Sequence, residues 1–136
     1  MKTLRQIISG RQLITVHLST SILDAVRVMA RHRIGAVPVV DDSGQVVGIF
    51  TERDLMVRVV AVEMDLKTPI SEVMTAKLIK ASIDDSPAQC LRKMKEKRIR
   101  HLLVVEKRKI VGIVSQRDLI ESELKEKTRD LQAIDA

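Results

Sequence analysis

The sequence predicts an α+β fold made of two copies of one β-α-β-β-α unit. Three observations carry that prediction: an internal repeat, short β-branched runs alternating with helical spacing, and a seven-residue segment that returns in both halves. Gly48 to Asp54, Gly-Ile-Phe-Thr-Glu-Arg-Asp, comes back at Gly112 to Asp118 as Gly-Ile-Val-Ser-Gln-Arg-Asp. Upstream, Leu13-Ile14-Thr15-Val16 aligns with Leu78-Ile79-Lys80-Ala81, Ala25-Val26 and Met29 with Cys90-Leu91 and Met94, and Val39-Val40 with Val104-Val105, all at an offset of 65. One residue is then lost in the second copy, and Val47-Gly48-Ile49 and Asp54-Leu55 match Val111-Gly112-Ile113 and Asp118-Leu119 at an offset of 64. Self-similarity at a fixed period over most of a chain marks a duplicated structural unit.

Taken in order, residues 1–10 form a short helix with Leu4, Ile7 and Ile8 on one face and Gly10 as its stop. First strands follow at Leu13–Val16 and Leu78–Ala81. Helices start at Ser19-Thr20-Ser21 and at Asp84-Asp85-Ser86-Pro87, where hydroxyl or acidic caps and an early proline satisfy or avoid the first backbone donors. The spacing Ile22, Ala25, Val26, Met29 marks a buried helical face. Ala36-Val37-Pro38-Val39-Val40 and Leu102-Leu103-Val104-Val105 are short, nearly continuous apolar runs, as strands covered on both faces should be. Turns at Asp41–Gly44 and Glu106-Lys107-Arg108 lead into Val46–Phe50 and Ile110–Val114. A closing helix runs from about Glu52 to Met64, Lys67-Thr68-Pro69 breaks it, and 70–75 is a short linking turn of helix. Past Asp118 a last helix becomes strongly charged, either a solvated extension or a docking element. The chain thus divides into an N-terminal helix (1–10), a first unit (11–66), a linker (67–76), a second unit (77–125) and a charged tail (126–136).

At 136 residues, 45% apolar and 31% charged, the chain holds one compact domain or two small halves sharing a core. It has no run long enough to span a membrane and too short an apolar start for a signal peptide, so a cytoplasmic protein is expected. A single cysteine, Cys90, excludes an internal disulfide and a cysteine metal cluster, and its place on a helical stripe reads as core. The formal charge of +6 attracts phosphates without choosing between nucleotides and nucleic acid. With no Trp or Tyr and one Phe, the stacking platforms of single-strand binders are absent, and any bound base must lie between aliphatic side chains.

The repeated segment supports two readings. Thr51 and Ser115, each followed three positions later by an aspartate, can be capping boxes and nothing more. Alternatively, a helix start suits a phosphate, and Asp54 or Asp118 accepts hydrogen bonds from a ribose diol. Ile49 and Thr51 share one strand face while Phe50 points to the other and reads as core.

These residues resemble the cystathionine-β-synthase (CBS) domain pair, or Bateman module, over about residues 11–125. The resemblance rests on the order β-α-β-β-α twice, on Gly-h-h-Thr/Ser-x-x-Asp (h, hydrophobic) ending each third strand, and on Ile-Gly-Ala-Val-Pro-Val-Val-Asp in the middle of the first copy. It implies two units packed pseudo-symmetrically through their sheets, two clefts that take AMP, ADP, ATP, NAD(H) or S-adenosylmethionine, and a homodimer shaped as a disc of four CBS units. It also implies a stand-alone, non-enzymatic sensor with a separate client protein; the residues themselves offer no nucleophile paired with a base, no two-carboxylate cleft and no metal triad. Carried over by position, one cleft combines Ile49, Thr51 and Asp54 with Leu78, Ile79, Arg100, His101, Leu102 and Leu103. The other combines Ile113, Ser115 and Asp118 with Leu13, Ile14, Gly35, Ala36, Val37 and Pro38.

The basic pair Arg100-His101 replaces Gly35-Ala36, so it borders only the cleft with Asp54. Arg100 is open between a phosphate contact, which its fork geometry suits, and a surface ion pair. Arg53 and Arg117 are open between a second phosphate and a partner subunit. His17 and His32 read as surface residues apart from any carboxylate cluster. Leu103 in place of Pro38 implies a different strand shape in the second unit. An alternative function is nucleic-acid binding through Lys93, Lys95, Lys97, Arg98 and Arg100, although these alternate with Glu96 as on a solvated helix face.

Overall fold

The described residues, 2–135 of the computed structural model, form two three-stranded sheets, ordered β1-β2-β3 and β4-β5-β6. In each sheet the first strand is parallel and the third antiparallel to the middle one. The strands are β1 (Val16–His17), β2 (Ala36–Val40), β3 (Val46–Thr51), β4 (Lys80–Ser82), β5 (His101–Glu106) and β6 (Lys109–Ser115). The helices are α1 (Leu4–Ile8), α2 (Ile22–His32), α3 (Glu52–Asp54), α4 (Pro87–Lys97) and α5 (Gln116–Asp135), with a 3₁₀ turn at Ile70–Glu72. The chain separates into two compact units, 14–78 and the N-terminal segment through Leu13 with 79 onward. The expected α+β class with a tandem pair of β-α-β-β-α units is therefore what the chain adopts.

Each unit has its own core. In the first, Ile22, Ala25 and Met29 of α2 pack with Val37, Val39 and Phe50 of the sheet and with Val59, Ile70 and Val73. Phe50 is fully buried, which contributes on the order of 1.5–3 kcal/mol. In the second, Cys90, Met94, Leu102, Val104, Val114 and Leu119 pack with Leu4 of α1. Helix α1 is tied to this unit through its backbone as well, since Leu4 N–H donates to Asp85 O and Arg5 N–H to Ile83 O, both at 3.0 Å. Hydroxyl caps set the starts of α2 and α4, as predicted: Ser21 accepts from Asp24 N, and Ser86 accepts from Gln89 N with Pro87 behind it.

The parallel strands begin later than their apolar runs suggest. β1 is Val16–His17 rather than Leu13–Val16, and β4 is Lys80–Ser82 rather than Leu78–Ala81, because the ladder forms only where the middle strand offers partners. Leu103 N–H donates to Ile79 O (3.1 Å), and Lys80 opposes Leu103. The corresponding residue of the first sheet is Pro38, which has no N–H to give, so β1 is one residue shorter. The proline difference noted in the sequence thus has a direct structural effect.

The closing helix of the first unit is also corrected. Instead of an α-helix over 52–64, α3 ends at Asp54 and widens into a π-helix, Leu55–Val60, with Ala61 N–H donating to Met56 O at 3.0 Å. Val57, Val59 and Val60 are β-branched and lose side-chain freedom against a tight preceding turn, which the wider coil relieves.

The two hairpins explain the one-residue change of offset. The longer first turn places Gly44 at φ +81° and is organised by Asp41, whose Oδ1 accepts from Ser43 N and Gln45 N at 3.0 Å. The second turn has Lys107 and Arg108 both at positive φ, 50° and 67°, the two-residue type I′ geometry that asparagine and glycine usually fill.

Candidate functional site

The site is built from the end of each third strand. β3 and β6 each carry a glycine inside the strand, Gly48 and Gly112, because another segment lies against the backbone there. A Cβ on Gly48 would collide with the Met74 side chain, and one on Gly112 would lie 2.8 Å from Ile8 Cδ1. These contacts show that the repeat continues upstream at an offset of 66, where Leu4, Ile7 and Ile8 match Ile70, Val73 and Met74. Ile49 and Thr75 also exchange backbone hydrogen bonds of 2.9 and 2.8 Å, which brings Thr75 beside the end of β3.

At Thr51 the strand becomes helix through a complete capping box. Asp54 N–H donates to Thr51 Oγ1 at 3.2 Å, while Asp54 Oδ2 accepts from Thr51 N–H at 3.0 Å and from Thr51 Oγ1 at 3.2 Å. The other oxygen, Oδ1, accepts from Thr75 Oγ1 at 3.0 Å and lies 3.6 Å from Arg58 Nε. Arg58 also donates to Met74 O at 2.9 Å. The Asp54 side chain is only 7% exposed, so both of its oxygens are engaged inside the protein.

Asp118 begins the same way and ends differently. Its N–H donates to Ser115 Oγ at 3.1 Å, and its Oδ2 accepts from Ser115 N–H at 2.9 Å. Its outer edge faces Arg11, which donates Nη1 to Oδ2 at 3.0 Å and Nη2 to Oδ1 at 3.1 Å. This is the two-pronged geometry that guanidinium and carboxylate favour. The side chain is 23% exposed. Partial burial alone would raise its pKa, but the hydrogen bonds from Arg11 and Ser115 and the charge of Arg11 outweigh it and hold the carboxyl below its usual range. Asp118 is therefore ionised at neutral pH. One turn further along α5, Ser122 is buried and its hydroxyl has no hydrogen-bond partner among the described residues.

The sheet register places the remaining predicted residues. In the first unit Ala36 opposes Thr51, Val37 opposes Phe50 and Pro38 opposes Ile49, and Glu52 N–H donates to Gly35 O at 2.9 Å. In the second unit His101 opposes Ser115, Leu102 opposes Val114 and Leu103 opposes Ile113, and Gln116 N–H donates to Arg100 O at 2.8 Å. The basic pair thus stands beside the Ser115–Asp118 turn of its own unit. Ala36, Val37, Pro38, Leu102 and Leu103 are buried; Ile14, Ile49, Leu13, Leu78, Ile79 and Ile113 are partly buried. Arg53, Arg100 and Arg117 are exposed, and Arg117 Nε lies 3.3 Å from Glu121 Oε1.

Cys90 is 1% exposed and its thiol is pushed up to about 11 by burial and then by the charge of Asp85, which makes it a protonated core residue at neutral pH. His32 is exposed, as expected. His17 is partly exposed and, as expected, apart from any carboxylate cluster among the described residues, but it meets one acid. Its Nδ1 accepts from Ser19 N–H at 3.1 Å, which leaves Nε2 to donate to Asp42 Oδ1 at 2.6 Å. Asp42 sits 25 residues away and is brought near by the parallel pairing of His17 with Val40.

Arg11, Arg58 and Thr75, which complete the surroundings of the two acids, were not legible from the motif itself. Extending the repeat upstream at its offset of 66 would have drawn attention to Thr75 and its counterpart Ser9. Nothing in the local sequence singles out Arg11.

Comparison with known proteins agrees with this architecture. The CBS domain family model matches residues 4–61 and 70–125. The chain is 36% identical to the CBS domain-containing protein YhcV of Bacillus subtilis over 79% of its own length and 76% of that protein's. It superposes with a TM-score of 0.86 on a CBS-domain protein from Burkholderia ambifaria, at 38% identity over 91% of this chain and 95% of that one. Two further similar structures carry ligands. A CBS domain protein of Pyrobaculum aerophilum complexed with AMP has a TM-score of 0.79 at 25% identity, covering 86% of this chain and 89% of that one. A CBS domain pair in complex with 5′-methylthioadenosine and S-adenosyl-L-methionine has a TM-score of 0.80 at 32% identity, covering 93% and 98%. Other relatives are longer: the chain spans 22% of the L-aspartate semialdehyde sulfurtransferase of Methanocaldococcus jannaschii, to which it is 35% identical. With two matched repeats, the same strand order in each unit and the same motif closing each third strand, the chain belongs to the CBS domain family.

Proposed function

We propose that this CBS pair is a regulatory module rather than an enzyme, that it holds an adenosine-bearing ligand (AMP, ADP, ATP or NAD(H)), and that occupancy is passed to a client protein. The observation that carries this reading is Asp118. It is an ionised carboxylate whose inner side is held by the Ser115 turn and whose outer edge, paired with the half-exposed Arg11, lies at the surface, where a ribose diol can reach it by displacing that pair. That similar structures were solved with AMP and with S-adenosyl-L-methionine supports an adenosine moiety.

Ser115 and Ile113 accompany Asp118 in this reading, with Arg117 one residue before it, and the basic pair Arg100 and His101, which the family resemblance sets at the cleft with Asp54, supplies the phosphate contact there. Asp54 stands with Ile49, Thr51 and Arg53 at the matching turn, but Thr75 and Arg58 occupy its outer oxygen, so its contribution to ligand affinity is the smaller. The aliphatic residues Leu13, Ile14, Leu78, Ile79, Gly35, Ala36, Val37, Pro38 and Leu103 supply the surfaces for the base.

Assembly with a second copy belongs to the same reading. Met56, Val57, Val60, Val62 and Met64 are exposed after α3, as are Ile120, Leu124 and Leu131 on α5, and apolar patches of this kind mark association surfaces. A disc of four CBS domains in a cytoplasmic homodimer satisfies them. Among the described residues no helix is long and apolar enough to cross a membrane. Nucleic-acid binding has less support, since Lys93 in the basic stretch donates to Lys80 O at 2.7 Å.

The test is calorimetric titration with AMP, ADP, ATP, NAD⁺ and S-adenosylmethionine. Asp118→Ala is expected to weaken the preferred ligand by about 1.5–3 kcal/mol, the range for a hydrogen bond to a charged acceptor. Unchanged affinity in Asp118→Ala and Asp54→Ala alike removes the ribose contacts.

A further inference from the structure

We propose that Arg11 is a specificity-determining residue that makes the Asp118 site selective for phosphorylated over neutral adenosine ligands. The inference rests on the reading of Asp118 as a ribose acceptor and goes beyond it, because Arg11 lies outside the repeated motif.

A carboxylate offers about four lone-pair positions. In Asp118 the inner position on Oδ2 is filled by Ser115 N–H, and the outer edge is filled by both guanidinium nitrogens of Arg11. A ribose diol also presents two donors side by side and needs that same edge. Arg11 and the diol therefore compete, and a neutral nucleoside must displace a cation from an anion without replacing its charge partner. A ligand carrying a 5′-phosphate supplies the replacement. Arg11 is 47% exposed and stands in the loop after α1, so its side chain is free to swing from the carboxylate to a phosphate. An arginine recruited in this way exchanges one two-pronged anionic partner for another.

The first unit lacks this arrangement. Asp54 is held by Thr75 and by Arg58, and Arg58 lies four residues along its own chain and is tied to Met74 O. The position that matches Arg58 in the second unit is Ser122, whose buried hydroxyl has no partner among the described residues. The two acids are thus neutralised from different places. Arg58 is as exposed as Arg11, 49% against 47%, but it sits on the π-helix and is tied to Met74 O, whereas the cation at Asp118 comes from a loop.

The experiment measures AMP and adenosine affinities by calorimetry for the wild type, Arg11→Ala and Arg11→Lys, with thermal unfolding to establish that each variant is folded. The wild type should favour AMP. In Arg11→Ala adenosine should bind about 1.5–5-fold tighter, corresponding to release of an exposed ion pair, while AMP binds no tighter, so that the AMP preference falls. Arg11→Lys, which retains charge without the fork, should keep part of the preference. A wild type that binds AMP, with an AMP-to-adenosine ratio unchanged in both variants, overturns the role of Arg11 and leaves the adenosine reading standing. A wild type that binds neither probe overturns that reading and this inference with it. Should Arg11→Ala fail to fold, an undiminished preference in Arg11→Lys and Arg11→Gln is the overturning result.

Discussion

Replacing each motif aspartate by alanine separates the structural from the ligand-facing role of the repeat. Asp54 accepts from Thr51 N–H, Thr51 Oγ1 and Thr75 Oγ1 in a nearly closed environment. Asp54→Ala removes the acid half of the capping box, worth about 0.5–2 kcal/mol, and strands partly buried donors at about 1–3 kcal/mol. The expected loss of unfolding free energy is about 2–4 kcal/mol. Asp118→Ala removes a similar cap, but its other partner is the exposed Arg11, a pair worth about 0.2–1 kcal/mol once solvent screening is counted. Its expected loss is about 1–2 kcal/mol. Urea unfolding of both variants without ligand measures the difference, and ligand titration should show the reverse order of effect. Equal losses, or a larger one for Asp118→Ala, would refute the claim that Asp54 is the structural acid of the two.

Gly48→Ala should destabilise by about 1–3 kcal/mol, since the new methyl meets Met74, and Gly112→Ala should cost less against the flexible end of Ile8; thermal unfolding checks both. The double change Lys107→Asn with Arg108→Gly should stabilise by about 1–2 kcal/mol in the same assay, because two left-handed residues then adopt their φ values with less strain. For Asp118 the folded pKa lies below its unfolded value near ~3.9, so its ion-pair contribution is full above that value and is lost as pH falls through the folded one. The stability gap between the wild type and Arg11→Ala should accordingly be constant from about pH 5 to 7 and shrink below about pH 4. A gap that does not change with pH would show that Arg11 acts through packing instead.

The duplication, the caps at Ser21 and Ser86, the buried stripe Ile22, Ala25 and Met29, and the core places of Phe50 and Cys90 were all legible in the chain itself. Each follows from local periodicity or from the chemistry of a helix start, which neighbouring residues determine. Pro38 against Leu103 announced a difference of strand shape between the units, while β1 itself was expected as Leu13–Val16. The length of the parallel strands and the π-helix at Leu55–Val60 lay beyond that reach, since they depend on what lies across the sheet and beneath the coil.

The site divides in the same way. Sequence alone established that two hydroxyl–aspartate turns close two equivalent strands. Tertiary structure alone decided that the turns are unequal, bringing Thr75 and Arg58 onto Asp54 and Arg11, 107 positions away, onto Asp118. The physical reason is that a carboxylate's availability depends on which donors reach its outer edge, and those donors come from segments that only folding places beside it.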